Sequence, residues 1–194
     1  MLECRRLEST PDLAAFRSRY LARAHLGMEL EWLARQRVLG FFLAGELVAG
    51  FVESDELSRS FLGLSEAERA GVLAAICGPA QRGYEICALW MGDRCRRTVL
   101  AHARVWATLV LRAATSGRQF LVVSAEQDEL NAIYQSLGGQ LVWDSPSECH
   151  PGHRNRIFVY RKWQAAGALV RACHRSLRKA PHRATGPAAA GRPA

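Results

Sequence analysis

Chemically active residue types are concentrated in the segment 83–139. An apolar stretch, Tyr84 to Met91, runs into a cationic turn, Arg94 to Thr98, and a long helical pattern begins within that turn. Backbone N–H groups at the start of a helix bind anions, and arginine side chains add charge-assisted hydrogen bonds. A second apolar stretch then leads into a short helical pattern that carries Tyr134. Two strands, an anion-binding turn and a tyrosine-bearing helix together indicate a site for a phosphate and a thioester.

The elements that position this site are predicted from hydrophobic periodicity and from helix stop signals. After the turn, apolar residues recur at helical spacing until Gly117, and the run from Gln119 to Ser124 is apolar enough for a strand buried on both faces. Gly138 and Gly139 end the tyrosine-bearing helix. The predicted elements of this half are a strand at 84–91, a helix at 94–116, a strand at 119–124 and a helix at 128–137.

The remaining sequence supplies further strands and helices around this unit. Alternating apolar residues on both sides of Ala44-Gly45-Glu46 predict a hairpin, and Ser65-Glu66-Ala67-Glu68 is typical of a helix start. The other predicted elements are a strand at 2–7, helices at 10–21 and 28–35, hairpin strands at 37–43 and 47–52, an added helix at 65–77, and strands at 140–143 and 157–160. This alternation predicts an α/β chain with a mixed central sheet flanked by helices, in one domain spanning 1–162.

The order of elements, with Tyr134 ahead of Gly138-Gly139, resembles the Gcn5-related N-acetyltransferase (GNAT) superfamily. In that family the turn before the long helix has the pattern Gln/Arg-x-x-Gly-x-Gly/Ala and binds the pyrophosphate of coenzyme A. Arg94 matches its first position, whereas Arg97 and Val99 stand where small residues are expected. Arginine replaces backbone contact with side-chain charge and also crowds the loop. The resemblance implies an acyl thioester as co-substrate, with a glycine-poor phosphate turn.

The resemblance also implies roles for particular residues. The Tyr134 hydroxyl would protonate the departing thiolate as a general acid. Backbone amides of Leu89, Trp90 and Met91 would pair with the pantetheine arm and polarise the thioester carbonyl. The expected donor-binding residues are Leu89, Trp90, Met91, Arg94, Arg96, Arg97, Thr98 and Gln127, the last in the place of an asparagine seven residues before the tyrosine.

Acyl transfer to an amine also needs a group that takes a proton from the attacking nitrogen. A carboxylate, directly or through a water, serves this purpose. Glu85 is the first candidate, because an acid within such an apolar strand is expected to be functional or to lie on an exposed face. Glu53, at the end of the hairpin, is the second candidate.

The connection 53–83 is longer than in most GNAT proteins and contains the added helix. By resemblance to acyl-homoserine-lactone synthases and N-acyl amino acid synthases, it would shape a pocket for a long acyl chain or for a donor borne on a carrier protein. The expected function is transfer of an acyl group from acetyl-CoA, acyl-CoA or acyl-carrier protein to a small-molecule or peptide amine. The alternative is a catalytically degenerate GNAT fold that acts as a binding or regulatory module through its basic C-terminal segment.

The net charge of +8 is located at the C-terminus. Eight of the 26 Lys and Arg residues lie in 161–194, which leaves 18 against the 18 Asp and Glu of the preceding chain. A basic face for nucleic acid is therefore not favoured. The segment 163–180 has one apolar stripe and predicts a basic amphipathic helix, which would dock on the domain, contact an anionic membrane surface or meet an acidic partner such as a carrier protein. The segment 181–194 is predicted to be disordered.

The scattered cysteines and the N-terminus predict a cytoplasmic protein. The six cysteines have no pattern of a disulfide framework, residues 1–6 lack an apolar signal region, and no apolar run is long enough to cross a bilayer. Cys149, His150 and His153 are three potential metal ligands in five residues, but their spacing is not that of a structural zinc site. No metal is predicted.

Overall fold

The computed structural model describes residues 1–24, 26–76, 83–147 and 152–161, together with Gln164 and Gly167. Within these residues the chain forms seven strands and six helices. They are β1 (Leu2–Leu7), α1 (Thr10–Ala24), α2 (Leu30–Arg35), β2 (Arg37–Leu43), β3 (Glu46–Ser54), α3 (Glu66–Ile76), β4 (Gly83–Met91), α4 (Asp93–Arg97), α5 (Val99–Thr115), β5 (Phe120–Ala125), α6 (Asp128–Ser136), β6 (Gln140–Pro146) and β7 (Arg154–Arg161).

All seven strands belong to one open sheet in the order β1-β2-β3-β4-β5-β7-β6. Every neighbouring pair is antiparallel except β4 and β5, which are parallel. A parallel pair requires a crossover connection, and α4 and α5 supply it. The predicted α/β class with a mixed sheet is confirmed.

Helices cover both faces of the sheet, so the core has three parts. One face packs against α5 and α6, with Val105, Leu109 and Tyr134 among its buried residues. On the other face, α1 and α2 cover β1 to β4 through residues such as Phe16 and Leu33. Residues of the connection 55–76 cover β5 and β7 on that second face, through the buried cluster Leu57, Phe61, Val72, Ile76, Phe120, Val122, Ile157 and Val159.

The connection is the insertion that the sequence predicted, and its helix α3 is confirmed. The Ser65 hydroxyl accepts a hydrogen bond from the Glu68 N–H at 3.3 Å, and the Glu68 carboxylate accepts one from the Ser65 N–H at 2.8 Å. This reciprocal pair is a capping box, which satisfies N–H groups that lack a partner inside the helix. The insertion therefore has a defined structure that packs on the sheet.

The helix predicted at 94–116 is wrong in one respect, because it consists of two helices. Thr98 lies between them with an extended conformation, φ −101° and ψ 102°. Its N–H donates to the carbonyl of Cys95 and ends α4, while its carbonyl accepts from the N–H of His102 and begins α5. The β-branched threonine favours this extended backbone over a helical one. The cationic turn is thus largely a short helix, and α5 begins one turn later than the periodicity indicates.

The parallel strands β4 and β5 are paired only at one end. Gly83, Tyr84 and Glu85 pair with Phe120, Leu121 and Val122, and no pair follows along β4. Beyond this point β4 continues against β3 and β5 continues against β7, so the sheet opens into a V between them.

Most of the C-terminal segment lies outside the described residues. The helix predicted at 163–180 and the disorder predicted at 181–194 stay predictions. Among the described helices, none is both long and apolar enough to span a bilayer.

Candidate active site

A cavity of about 340 Å³ occupies the V between β4 and β5. Ile86 to Leu89 form one wall and Ser124 to Gln127 form the opposite wall. Other walls come from α1, the insertion, α6 and the ends of β6 and β7, namely Tyr20, Arg23, Ala24, Leu26, Arg59, Leu62, Gly63, Leu64, Leu130, Tyr134, Ser145, Pro146, His153 and Asn155. A volume of this size is within the range of small-molecule sites.

The wall formed by β4 has an irregular backbone. Cys87 lies opposite Val52 and Trp90 lies opposite Gly50, so Ala88 and Leu89 together face the single residue Phe51. This two-against-one arrangement is a β-bulge, and Ala88 takes the left-handed conformation there with φ 50°. A left-handed alanine is strained, and such strain is concentrated at functional sites. The bulge also lies beyond the last β4–β5 pair, where the β5-facing edge of β4 has no strand partner.

Tyr134 reaches the cavity from α6. Its backbone carbonyl accepts a hydrogen bond of 2.6 Å from the Tyr160 hydroxyl, and its ring packs edge-on against Phe158 with 6.0 Å between centroids. These contacts fix the helix above β7. Burial raises the pKa of the Tyr134 phenol, and the nearby Cys87 and Tyr20 add to that shift. The phenol is therefore protonated at neutral pH.

The GNAT pattern has an aromatic residue after this helix, whereas this chain has Gly139. The side chains packed around Gly139 give the reason. A Cβ atom at position 139 would lie 2.8 Å from Cζ of Tyr160. The Tyr160 ring from β7 thus occupies the space beside Gly139, and no side chain fits there without displacing it.

Glu85 is fully buried and is absent from the residues that line the cavity. One carboxylate oxygen accepts hydrogen bonds from the Ser60 N–H at 2.5 Å and from the Ser60 hydroxyl at 2.9 Å, and the other accepts one from the Arg59 N–H at 3.3 Å. Burial raises the pKa of Glu85, and these hydrogen bonds oppose the shift. The carboxylate also adds to the raised pKa of Cys87, which burial causes in the first place. Glu85 therefore binds the insertion and lies behind the cavity wall at Cys87.

Glu53, the second candidate base, lies on the other side of the sheet. Its carboxylate accepts two hydrogen bonds from the Arg112 guanidinium, at 2.7 and 2.8 Å, and Arg37 lies 3.5 Å away. It is buried within this ion pair and is absent from the cavity wall. Its contacts are those of a structural carboxylate that joins β3 to α5.

The residues of the cationic turn have different partners in the structure. Arg94 forms an ion pair of 3.0 Å with Glu46, and the Thr98 hydroxyl donates to the carbonyl of Arg94. Arg97 is exposed. Arg96 alone of these residues reaches a depression beside the cavity, which it lines together with Arg19, Ala22, Arg23 and Gln127. Arg23 and Gln127 also line the main cavity, so the depression adjoins its open end.

The three predicted donor-binding residues on β4 also have different surroundings. Leu89 lines the cavity, whereas the side chains of Trp90 and Met91 are buried in the core. Trp90 packs edge-on against Phe16, with 6.1 Å between ring centroids. The structure thus brings Leu89, Gln127 and Tyr134 together in one cavity, with Arg96 at its edge.

Three chemically functional residues of the cavity were missed from the sequence: Tyr20, Arg59 and Glu126. His153 also lines the cavity, and the sequence marked it only as a potential metal ligand. Tyr20 has the spacing of a core position on α1, and Arg59 lies in the insertion without any local pattern. Glu126 carries the only usable signal, since it directly follows a buried strand. Among the described residues no group of three potential metal ligands occurs, and Cys149 and His150 lie outside them.

Solved acyltransferase structures have the same fold. FeeM, an N-acyl amino acid synthase from uncultured soil microbes, superposes with a TM-score of 0.72 over 90% of this chain and 98% of that chain, at 11% identity. The polyamine N-acetyltransferase of Drosophila melanogaster has a TM-score of 0.59 over 83% of this chain and 100% of that chain, at 17% identity. The protein yncA of Salmonella typhimurium, solved with its cofactor acetyl-CoA, has a TM-score of 0.54 over 84% of this chain and 94% of that chain, at 15% identity.

No family model and no curated protein matches the sequence. At these identities the structural similarity defines the fold alone. The chain has the GNAT fold, and the resemblance predicted from the order of elements and Tyr134 is confirmed at that level.

Proposed function

We propose that the protein is an N-acyltransferase that moves an acyl group from a thioester of coenzyme A or of acyl-carrier protein to an amine. The observation that carries the proposal is the opening between β4 and β5, which contains Tyr134 on one wall and the bulge at Ala88 on the other. The structural neighbours include an N-acyl amino acid synthase and a protein solved with acetyl-CoA, which supports this reaction class.

The donor would lie in the V with its thioester beside Tyr134. Backbone N–H groups at the bulge, from Cys87 to Leu89, are positioned by the strand rather than by flexible side chains. Such preorganised donors stabilise the oxyanion that forms when an amine attacks a thioester carbonyl. The phosphates would lie at the open end, where Arg19, Arg23 and Arg96 supply positive charge next to Gln127. This arrangement adds contacts from α1 to those of the glycine-poor turn, which here forms α4.

Tyr134 would protonate the thiolate that leaves. A general acid must hold its proton until the transition state, and burial keeps the Tyr134 phenol protonated. Two carboxylates are candidates for the base that deprotonates the acceptor. Glu85 is the one predicted from the sequence and lies behind Cys87, while Glu126 lines the cavity itself.

The test is a Tyr134→Phe variant, which keeps the ring and removes only the hydroxyl. Wild-type protein is incubated with acetyl-CoA, octanoyl-CoA or octanoyl-acyl-carrier protein and a panel of amines, and N-acyl products are measured by mass spectrometry. We expect kcat to fall by about 10²- to 10⁴-fold in the variant, the usual contribution of a general acid. The KM for the donor should change little, because the ring still fills the same volume.

Tyr84→Phe is the matched control, since Tyr84 is also buried on the face covered by α5 and α6 but does not line the cavity. It should retain wild-type kcat. Equal turnover by wild type and Tyr134→Phe would contradict the assigned role. Thermal stabilisation by a donor without any product would identify the binding module, and neither stabilisation nor product would contradict both functions.

A further inference from the structure

We propose that the acceptor is an amine that also carries a carboxylate, as an amino acid does, and that Arg59 binds this carboxylate. The proposal rests on the proposed function, because it names the acceptor class for the same cavity. The structural neighbours include enzymes named for amino acids and for polyamines, whose acceptors differ in charge. The charged residues of this chain's own cavity therefore indicate which of the two acceptor classes fits.

Arg59 is the cation of the insertion that faces the cavity. Its guanidinium lies 5.7 Å from the centroid of the Trp32 ring, and it is close enough to the Tyr20 hydroxyl to oppose the burial that raises the pKa of Tyr20. The insertion thus presents a half-buried guanidinium and a phenol side by side. Within the described part of the chain, no carboxylate lies within ion-pair distance of Arg59.

A buried carboxylate holds this arginine in place. Glu85 accepts the N–H groups of Arg59 and Ser60 and the Ser60 hydroxyl, and Glu85 itself lies at the last β4–β5 pair, opposite Val122. The backbone of Arg59 is therefore attached to the closed end of the V. A rigid attachment of this kind makes binding stronger, because less side-chain and loop freedom is lost when the ligand arrives.

The closed end lies apart from the arginines proposed for the donor phosphates. Arg23 and Gln127 mark the open end, while the backbone of Arg59 is attached at the closed end through Glu85 and its guanidinium lies beside Tyr20. Tyr134 and Cys87 lie between these ends, since the thiol adds to the raised pKa of the Tyr134 phenol. A thioester beside Tyr134 thus lies near Arg59, because Tyr20 interacts with both side chains.

The position of Arg59 on the cavity wall favours an anionic group over a second cation. The charged side chains that line the cavity are Arg23, Arg59 and Glu126, with His153 in addition. Arg23 lies at the open end and is paired with Asp93 at 3.2 Å, whereas the Arg59 guanidinium is held by the Trp32 ring and Tyr20 and keeps its charge for a ligand. A polyamine would place a second positive charge in this space, whereas a carboxylate would accept two parallel hydrogen bonds from Arg59. The wall therefore matches an amino acid.

The experiment compares L-phenylalanine with L-phenylalaninamide as acceptors in wild type, Arg59→Gln and Arg59→Lys. The amide has the less basic amino group, so intrinsic reactivity favours it at a given pH. We nevertheless expect the wild type to prefer the carboxylate by at least about tenfold in kcat/KM, the value of one charge-assisted contact. Arg59→Gln should lose this preference through a higher acceptor KM, and Arg59→Lys should restore part of it. The donor KM should stay unchanged.

Arg69→Gln is the matched control, because Arg69 belongs to the same insertion, lies against Phe61 and is absent from the cavity wall. It should keep the wild-type preference. Equal use of both acceptors by the wild type, or an unchanged preference in Arg59→Gln, would overturn the proposal.

A binding measurement separates this proposal from the proposed function. N-octanoyl-phenylalanine and its carboxamide are titrated calorimetrically into wild type and Arg59→Gln, which requires no turnover. Binding of the acid at least tenfold more tightly than the carboxamide, with the difference lost in Arg59→Gln, supports the carboxylate site even if no thioester reacts. Identical binding of both compounds overturns it, even if acyl transfer to other amines occurs. Melting temperatures of the variants show whether each one is folded.

Discussion

Glu53 and Glu85 are two buried glutamates at the same level of the sheet, and their surroundings differ completely. They lie on adjacent strands, one register step apart, since Glu53 faces Ile86 and Glu85 faces Ser54 across the β3–β4 pair. Glu53 points to the face covered by α5 and meets Arg112. Glu85 points to the face covered by the insertion and meets backbone N–H groups. One carboxylate is neutralised by a cation, and the other is solvated by peptide dipoles.

The difference shows how one residue type serves two purposes inside one sheet. A guanidinium partner fixes a helix to the sheet and leaves the carboxylate chemically inert. Backbone donors fix a loop instead, and here that loop carries Arg59 to the cavity. In this sheet, each buried glutamate attaches another element to its strand. The hydrogen-bond partner of the carboxylate determines whether that element is a structural helix or the loop that carries Arg59 to the cavity.

The largest expected effect comes from breaking the ion pair. Arg112→Met removes the guanidinium and leaves the buried Glu53 carboxylate with Arg37, at 3.5 Å, as its remaining ion-pair partner among the described residues. An uncompensated buried charge is costly, and we expect the free energy of unfolding to fall by about 3 kcal/mol, the low end for such pairs because Arg112 is partly exposed. Urea denaturation measures this change.

Arg104→Met is the matched control, since Arg104 is exposed on the same helix and has no ion pair among the described residues. It should change stability by less than about 0.5 kcal/mol. The acceptor preference should stay at its wild-type value in both variants. A loss of that preference in Arg112→Met alone would mean that the two faces of the sheet are coupled.

A smaller effect on stability, but a specific effect on the site, is expected from Glu85→Gln. The amide keeps one acceptor oxygen and presents an NH₂ group to the remaining backbone donor, so we expect a loss of about 1–2 kcal/mol in the free energy of unfolding. Because Arg59 is then less firmly held, the KM for a carboxylate acceptor should rise while the donor KM stays constant. Steady-state kinetics with both substrates varied measure the two values.

The same variant distinguishes attachment from catalysis. If Glu85 is the general base that the sequence predicted, kcat should fall by orders of magnitude and the acidic limb of the pH–rate profile should disappear, with the acceptor KM unchanged. If Glu126 is the base, the fall in kcat and the loss of the acidic limb should instead be seen in Glu126→Gln.

The smallest effect concerns pH. Burial raises the pKa of Glu85 above its ordinary value, so the folded state holds this proton more tightly than the unfolded state. The resulting stabilisation is fully present below the ordinary pKa and is lost as pH rises through the raised value. The free energy of unfolding of the wild type minus that of Glu85→Gln should therefore decrease from pH 4 towards neutral pH. Urea titrations at several pH values measure it, and a difference that increases with pH would contradict the assignment.

Local patterns predicted most of the fold. The hairpin, the added helix and the tyrosine-bearing helix each carry periodicity and stop signals that act over a few residues, and these elements occur where the sequence placed them. The break at Thr98 was missed because its neighbours continue a helical pattern on both sides. Arg59 was missed because nothing in its own segment marks it, and its position depends on a carboxylate 26 residues away.

Signals between near neighbours in the sequence account for most elements, their order and the location of Tyr134, because these depend on propensity, periodicity and glycine positions. The face that each buried acid takes, the pairing of arginines with carboxylates and the point where β4 and β5 separate depend on the tertiary structure. Those outcomes depend on contacts between residues far apart in the chain, whose energies exist only once the sheet, α5 and the insertion have packed together. The cationic turn shows this limit most clearly, since its three arginines have different surroundings.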